Sequence, residues 1–314
     1  MNKRLLGKIL AVFFFIIFLI YFYFNRQEFV KLLEIEWYYI ISILVLKLVI
    51  LFINGLYISA FLKGYKLSMP HIESYYLSYI TTWGNYFGPL HGGSGLRALY
   101  LKRKYKFPLS LFLATMYGNY IIIFFVNGLI SLLALIMIYF TTGLTSYLLS
   151  LFFSTVVLVT GIIIFVSQSS LLIRDLLLKG KVLIFQKVAK IFQGWIKLRN
   201  NYVLIRHLII LTLSNLLLWT IMYYLQYRSI GINLSLPQTL LFTTITSSTI
   251  LVNITPGGIG IREAIQLLFS KFIGISELDV VSVAILDRAL LFLALIVLCV
   301  IFLKYRKEVK WEKN

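Results

Sequence analysis

Hydrophobic residues run along this chain in long unbroken blocks rather than in the short alternations of a surface strand. Blocks of about twenty apolar residues match the length of a membrane-crossing helix. They predict full crossings at 5–24, 37–62, 108–140, 144–167, 207–227 and 280–303. Two further apolar segments, 70–97 and 236–276, are broken by glycine and proline. One arm of each is polar for lipid: Ser78, Thr81, Thr82 and Asn85 in the first, and Thr243, Thr244, Thr246, Ser247, Ser248, Thr249, Asn253 and Thr255 in the second. Irregular backbone at membrane depth survives only where protein or a wet cavity covers it. Both segments are therefore expected to be re-entrant hairpins. The expected fold is all-α: a polytopic helical membrane protein with six full spans and two hairpins, in a single membrane domain over 1–314.

Charge sets the expected orientation. Basic residues collect between the spans, as in cytoplasmic loops. Lys3, Arg4 and Lys8 place the N-terminus inside, as do Lys63 and Lys66 the end of the second span. The link 168–206 carries eight basic residues and one acid, Asp175, and is expected to hold an amphipathic helix at the cytoplasmic interface. Lys304, Arg306 and Lys307 place the C-terminus inside. On this topology 5–140 reads span, span, hairpin, span, and 144–303 repeats that order from the opposite face. Such an inverted repeat is the architecture many secondary transporters use for alternating access. Trp37, Trp195 and Trp219 are expected in the interfacial belt, with Trp83 lining the first hairpin.

The candidate chemistry lies in two near-copies of one motif. Gly92-Gly93-Ser94-Gly95-Leu96-Arg97 and Gly257-Gly258-Ile259-Gly260-Ile261-Arg262 both read G-G-x-G-x-R, 165 residues apart, with Pro89 and Pro256 upstream. A helix starting after a glycine turn exposes unpaired N–H groups and binds anions. Arginine adds a planar fork suited to phosphate. Placed on the first turn of each returning helix, Arg97 and Arg262 are expected to hold one anionic headgroup between the hairpin ends. The plainer alternative is that the glycines allow close helix packing while the arginines snorkel. Glu263 either pairs with a basic residue across a cavity, carries a proton, or forms a local salt bridge with Arg262. Asp287 and Arg288 lie inside the last span, where charges usually face the interior and mark a pathway.

The remaining composition narrows the function. The net charge of +19 is explained by the basic loops and the anionic lipid surface they face, so no nucleic-acid partner is expected. One cysteine excludes an internal disulfide, and the three histidines have no metal-ligand spacing. There is no Walker A lysine motif, no catalytic motif and no implied cofactor.

The run Ile254–Ala264, with Gly274-Ile275-Ser276 and Asp287-Arg288, resembles the C-terminal signature of the lysylphosphatidylglycerol synthase transmembrane-region family, whose members are also described as flippase-like. Gly95-Leu96-Arg97-Ala98-Leu99-Tyr100-Leu101 resembles that family's first-half motif. Members often carry a Glu-Arg pair where this chain has Tyr117-Gly118. The synthase proper adds a soluble domain that transfers lysine, and since this chain stops at Asn314 no aminoacyl transfer is expected. The resemblance implies a flippase-like protein of the cytoplasmic (inner) cell membrane. It would bind and translocate an anionic phospholipid or lipid-linked headgroup through Gly92, Gly93, Gly95, Arg97, Pro256, Gly257, Gly258, Gly260, Arg262, Glu263, Asp287 and Arg288. The alternatives are a membrane glycosyltransferase or lipid-modifying transferase, and a non-transporting partner that holds lipid for a synthase. Besides anionic lipid and the bilayer, the partner candidates are a second copy of the chain and a separate lipid-modifying enzyme.

Overall fold

The computed structural model describes residues 32–88, 92–165, 194–196, 198–251 and 255–308, with the single positions 23 and 30. Among these, every secondary-structure element is a helix, as expected. The order is α1 (Trp37–Gly64), α2 (His71–Phe87), α3 (Gly92–Tyr105), α4 (Leu109–Thr142), α5 (Tyr147–Phe165), α6 (Tyr202–Ser229) and α7 (Leu236–Ser248). Two 3₁₀ turns follow, Thr249–Leu251 and Pro256–Gly258, and then α8 (Ile261–Ile273) and α9 (Glu277–Glu308). Five of these helices, α1, α4, α5, α6 and α9, are long and apolar enough to cross a membrane. They coincide with the predicted spans that begin at 37, 108, 144, 207 and 280. Apart from position 23, the predicted span 5–24 lies outside the described residues. So do 168–193 of the basic link, Pro89, Asn253 and the tail beyond 308.

Local chemistry explains the boundaries. Pro70 and Pro108 precede α2 and α4, where a missing N–H breaks no helical bond. Asn201 caps α6, its side chain accepting from the Leu204 amide at 3.1 Å. Gly143 and Gly274 end α4 and α8 in the left-handed conformation. The first broken segment extends further than its polarity predicts. The returning arm α3 continues past Arg97 to Tyr105 and carries the basic run Lys102, Arg103 and Lys104 in its last turn. Cations suit that end of a helix dipole. The run is also anchored, because buried Glu73 on α2 accepts from Lys104 Nζ at 2.9 Å and from the Tyr100 and Tyr105 hydroxyls at 2.8 Å each.

The two broken segments form helix–turn–helix hairpins, α2/α3 and α7/α8, each with its arms packed together. Each first arm also packs on the long helix of the other half: α7 on α4, and α2 on α9. Asn127 on α4 donates to Ser247 on α7 at 2.8 Å. Helices α1 and α6 pack against each other at the centre, with the Tyr57 hydroxyl donating to Thr212 at 3.0 Å. The Pro256–Gly258 turn rests against α2, so the two hairpins meet. Large apolar side chains such as Leu133, Ile136, Phe140, Leu151 and Leu217 point outward. Threonines and amides are buried inside instead, the arrangement lipid favours.

Two tryptophans fall elsewhere than expected. Trp195 is buried in the core with Leu198, where its ring fills the space that a side chain at Gly118 would need. Trp219 lines an interior cavity rather than a belt. Both follow from tertiary packing, which interfacial preference does not encode. Trp37 remains exposed at the start of α1.

Candidate functional site

Between the two hairpins and the inner faces of α1, α4 and α6 lies a cavity of about 430 Å³. Its walls are rich in amides and hydroxyls, among them Asn54, Asn85, Asn119, Asn127 and Asn215. Both G-G-x-G-x-R motifs reach it, the first through Ser94 and Arg97 and the second through Gly257, Gly258 and Arg262. Of the described side chains that line it, only Arg97 and Arg262 carry charge.

The two motifs share letters but not conformation. In the second, Gly257, Gly258 and Gly260 have φ of +60°, +68° and +85°, which side chains with a Cβ rarely adopt. They fold the chain through a tight turn and start α8 at Ile261, so Arg262 stands on the first helical turn as predicted. In the first motif the described glycines are helical from Gly92 onward, so Arg97 lies in the second turn of α3 rather than the first. Gly93 there serves packing. A Cβ on it would overlap the Thr81 carbonyl oxygen on α2, and a Cβ on the facing Gly84 would come within 2.5 Å of the Gly93 Cα. Gly92 sits in the same contact, whereas Gly95 faces open space. Of the three glycines expected to let backbone approach a headgroup, Gly92 and Gly93 stand in a close helix contact and Gly95 does not. Neither these three, nor Pro256 and Gly260, line the cavity.

Behind the second motif lies a layer of ion pairs. Asp287, buried on α9, accepts from Lys47 Nζ on α1 at 2.6 Å and from Gln226 Nε2 on α6 at 2.9 Å. Its second oxygen is 3.2 Å from an Arg262 nitrogen. Arg262 also donates to the Tyr223 hydroxyl, and its guanidinium stands 5.6 Å from the Trp219 ring centre. Glu263 takes the cross-element option: it pairs with Arg288 through one oxygen, while the other accepts from the Gly260 amide at 2.8 Å. Arg288 donates a further bond to the Gly257 carbonyl at 3.2 Å, tying α9 to the turn. Arg262, Glu263, Asp287 and Arg288 are thus brought together. Three cations facing two acids leave the layer with excess positive charge beside the cavity.

Arg97 is held differently. Its guanidinium lies 5.3 Å from the Phe112 ring centre, its buried Nε has no hydrogen-bond partner, and no ion pair to it occurs among the described residues. Sequence reasoning did not pick out Lys47 and Gln226. The signal was there for Lys47, the single charge inside the predicted span 37–62.

Glu263→Gln tests the layer. Glutamine keeps an acceptor for the Gly260 amide but leaves Arg288 without its counter-charge. The expected loss is about 1–2 kcal/mol of stability, because both partners are partly reachable by solvent. Thermal unfolding in detergent measures it, and an unchanged melting temperature would show that the pair is ornamental.

The family model for the lysylphosphatidylglycerol synthase TM region matches residues 6–299 of the chain. No curated protein and no solved structure matches it.

Proposed function

Since the chain belongs to the lysylphosphatidylglycerol synthase TM-region family, a membrane family associated with lipid handling, we propose that it is a flippase-like protein. It binds the phosphate of an anionic lipid headgroup between its two hairpins and moves the lipid between leaflets of the cytoplasmic membrane. The basic segments between spans support cytoplasmic termini, and hence hairpins that dip into the bilayer from opposite faces.

One observation carries the reading: the interior cavity holds two arginines and no acid among its described lining residues. An arginine whose Nε is buried without a partner is costly unless something negative reaches it. Phosphate supplies the acceptors and the charge at once. Arg262 is the second contact. Turning toward a phosphate draws it from Asp287, which keeps Lys47 and Gln226 as partners. The exchange of one acid for another at Arg262 links occupancy of the cavity to the contacts between α8 and α9.

The test is reconstitution in vesicles containing a fluorescent phosphatidylglycerol, with leaflet exchange followed by quenching. Arg97→Ala removes a charge-assisted contact worth about 1.5–3 kcal/mol, so exchange is expected to slow at least roughly tenfold. Arg97→Lys keeps the charge and retains part of the rate. Wild-type exchange no faster than that of Arg97→Ala rejects the proposal.

A further inference from the structure

We infer that Trp195 is a removable plug. Seated against Gly118, it closes the cavity at the end nearest the basic link, and its departure opens the cavity to that side of the membrane. The plug serves whatever guest the cavity takes, so it stands apart from the headgroup reading above.

The seat lies where α1, α4 and α6 converge without closing on their own. Helix α6 packs on both of the others, but α1 and α4 make little direct contact. On α6 the cavity stripe includes Thr212, and Leu208 and Leu204 continue it about one and two turns toward the link. Those two leucines belong to one buried cluster with Trp195, with Tyr57 of α1 and with Ile122 of α4. Tyr57 also lines the cavity, so the cluster abuts it. The link therefore fills a space that the spans leave open.

Helix α4 is shaped to receive the ring. A Cβ on Gly118 would stand 2.5 Å from Trp195 Cε3, and one on Gly194 would stand 2.5 Å from the Ala114 Cβ. Small residues on both elements thus let the link press close to α4. The seat suits the ring but not its nitrogen, because Nε1 is buried with no hydrogen-bond partner among the described residues. Burial of the indole ring favours the seat, and burial of an unpaired N–H opposes it. At the membrane surface both demands are met together, with the ring among lipid and the N–H in water. That second place for the same side chain is what makes the plug removable.

The experiment measures access to a cysteine placed in the cavity of the full chain. Ile123→Cys, on the cavity face of α4 about one turn beyond Asn119, is made in a Cys299→Ser background, which removes the single native thiol. Right-side-out and inside-out membrane vesicles are treated with the membrane-impermeant anion methanethiosulfonate ethylsulfonate. With Trp195 in place, labelling from the link side, the cytoplasmic one on the charge-based topology, is expected to be slow. Trp195→Ala removes the plug, and Gly118→Ala expels it from the facing helix by occupying its seat. Each is expected to speed labelling from the link side roughly tenfold or more and to leave labelling from the far side unchanged. Thermal unfolding in detergent establishes which variants fold. Link-side labelling left unchanged by a variant that folds overturns the inference, because the ring then only packs. Equal acceleration from both sides also overturns it, since that marks a general loosening of the bundle. If one variant fails to fold, the other decides. Failure of both makes Trp195 a fixed part of the core and overturns the inference as well.

Discussion

Replacing Asp287 with alanine is expected to destabilise the protein by about 3–5 kcal/mol, the usual cost of removing one partner from a buried ion pair. The carboxylate is the common acceptor of Lys47, Gln226 and Arg262, three residues on three helices that otherwise share little sequence proximity. The lysine and aspartate side chains are 3% and 4% exposed, so no solvent relieves the lysine once its partner is gone. Arg262, at 17%, reaches the polar cavity and suffers less. The loss is therefore expected to come mainly from Lys47. It follows that the double variant Lys47→Met, Asp287→Leu recovers most of it, since well-packed apolar side chains replace a buried pair at little cost. Thermal or denaturant unfolding, in a single detergent, of the unsubstituted protein, Lys47→Met, Asp287→Leu and the double variant gives all four corners of the cycle. A single-variant loss below about 0.5 kcal/mol, the size of a neutral surface change, removes Asp287 from its place at the centre of the bundle.

Gly93→Ala is expected to be nearly as disruptive, and Gly95→Ala, two residues along the same motif, harmless. At Gly93 the added methyl meets the backbone carbonyl of Thr81, which has no rotamer with which to yield, so α2 and α3 must separate. Overpacking of this kind costs about 1–3 kcal/mol, and it also displaces Arg97, one turn further along α3. Loss of stability and loss of lipid exchange should appear together. At Gly95 nothing lies within 4 Å of the new atom, and alanine is the better helix former by about 1 kcal/mol. A gain of stability with exchange intact is the expected outcome. If Gly95→Ala instead abolished exchange in a stable protein, that glycine would have to touch the guest directly, as the sequence reading first supposed.

The contrast between these two glycines shows where a sequence stops being informative. The repeated letters G-G-x-G-x-R locate both hairpin turns, since glycine and proline break helices wherever they stand. They do not tell a close helix crossing from a left-handed turn. Gly93 owes its role to Thr81, twelve positions back on another helix, whereas Gly257, Gly258 and Gly260 owe theirs to their own φ angles. The same limit applies to charge. Asp287 and Arg288 stand out from the letters because ions inside an apolar span are rare, and Lys47 meets that criterion equally. Which ion meets which was not readable: Glu263 neighbours Arg262 in sequence and pairs with Arg288 in space.

The chain by itself determined the helical class, the five described crossings, the two broken segments and the arginine that follows each, because lipid filters segments by length, polarity and backbone breaks taken one at a time. Tertiary structure alone decided the cavity, the shared carboxylate that joins Lys47 to a partner 240 residues away, and the Arg97 Nε left without a hydrogen-bond partner among the described residues. Such contacts depend on how whole helices pack. Packing among apolar helices is settled by shape at close range, which no local pattern of residues records.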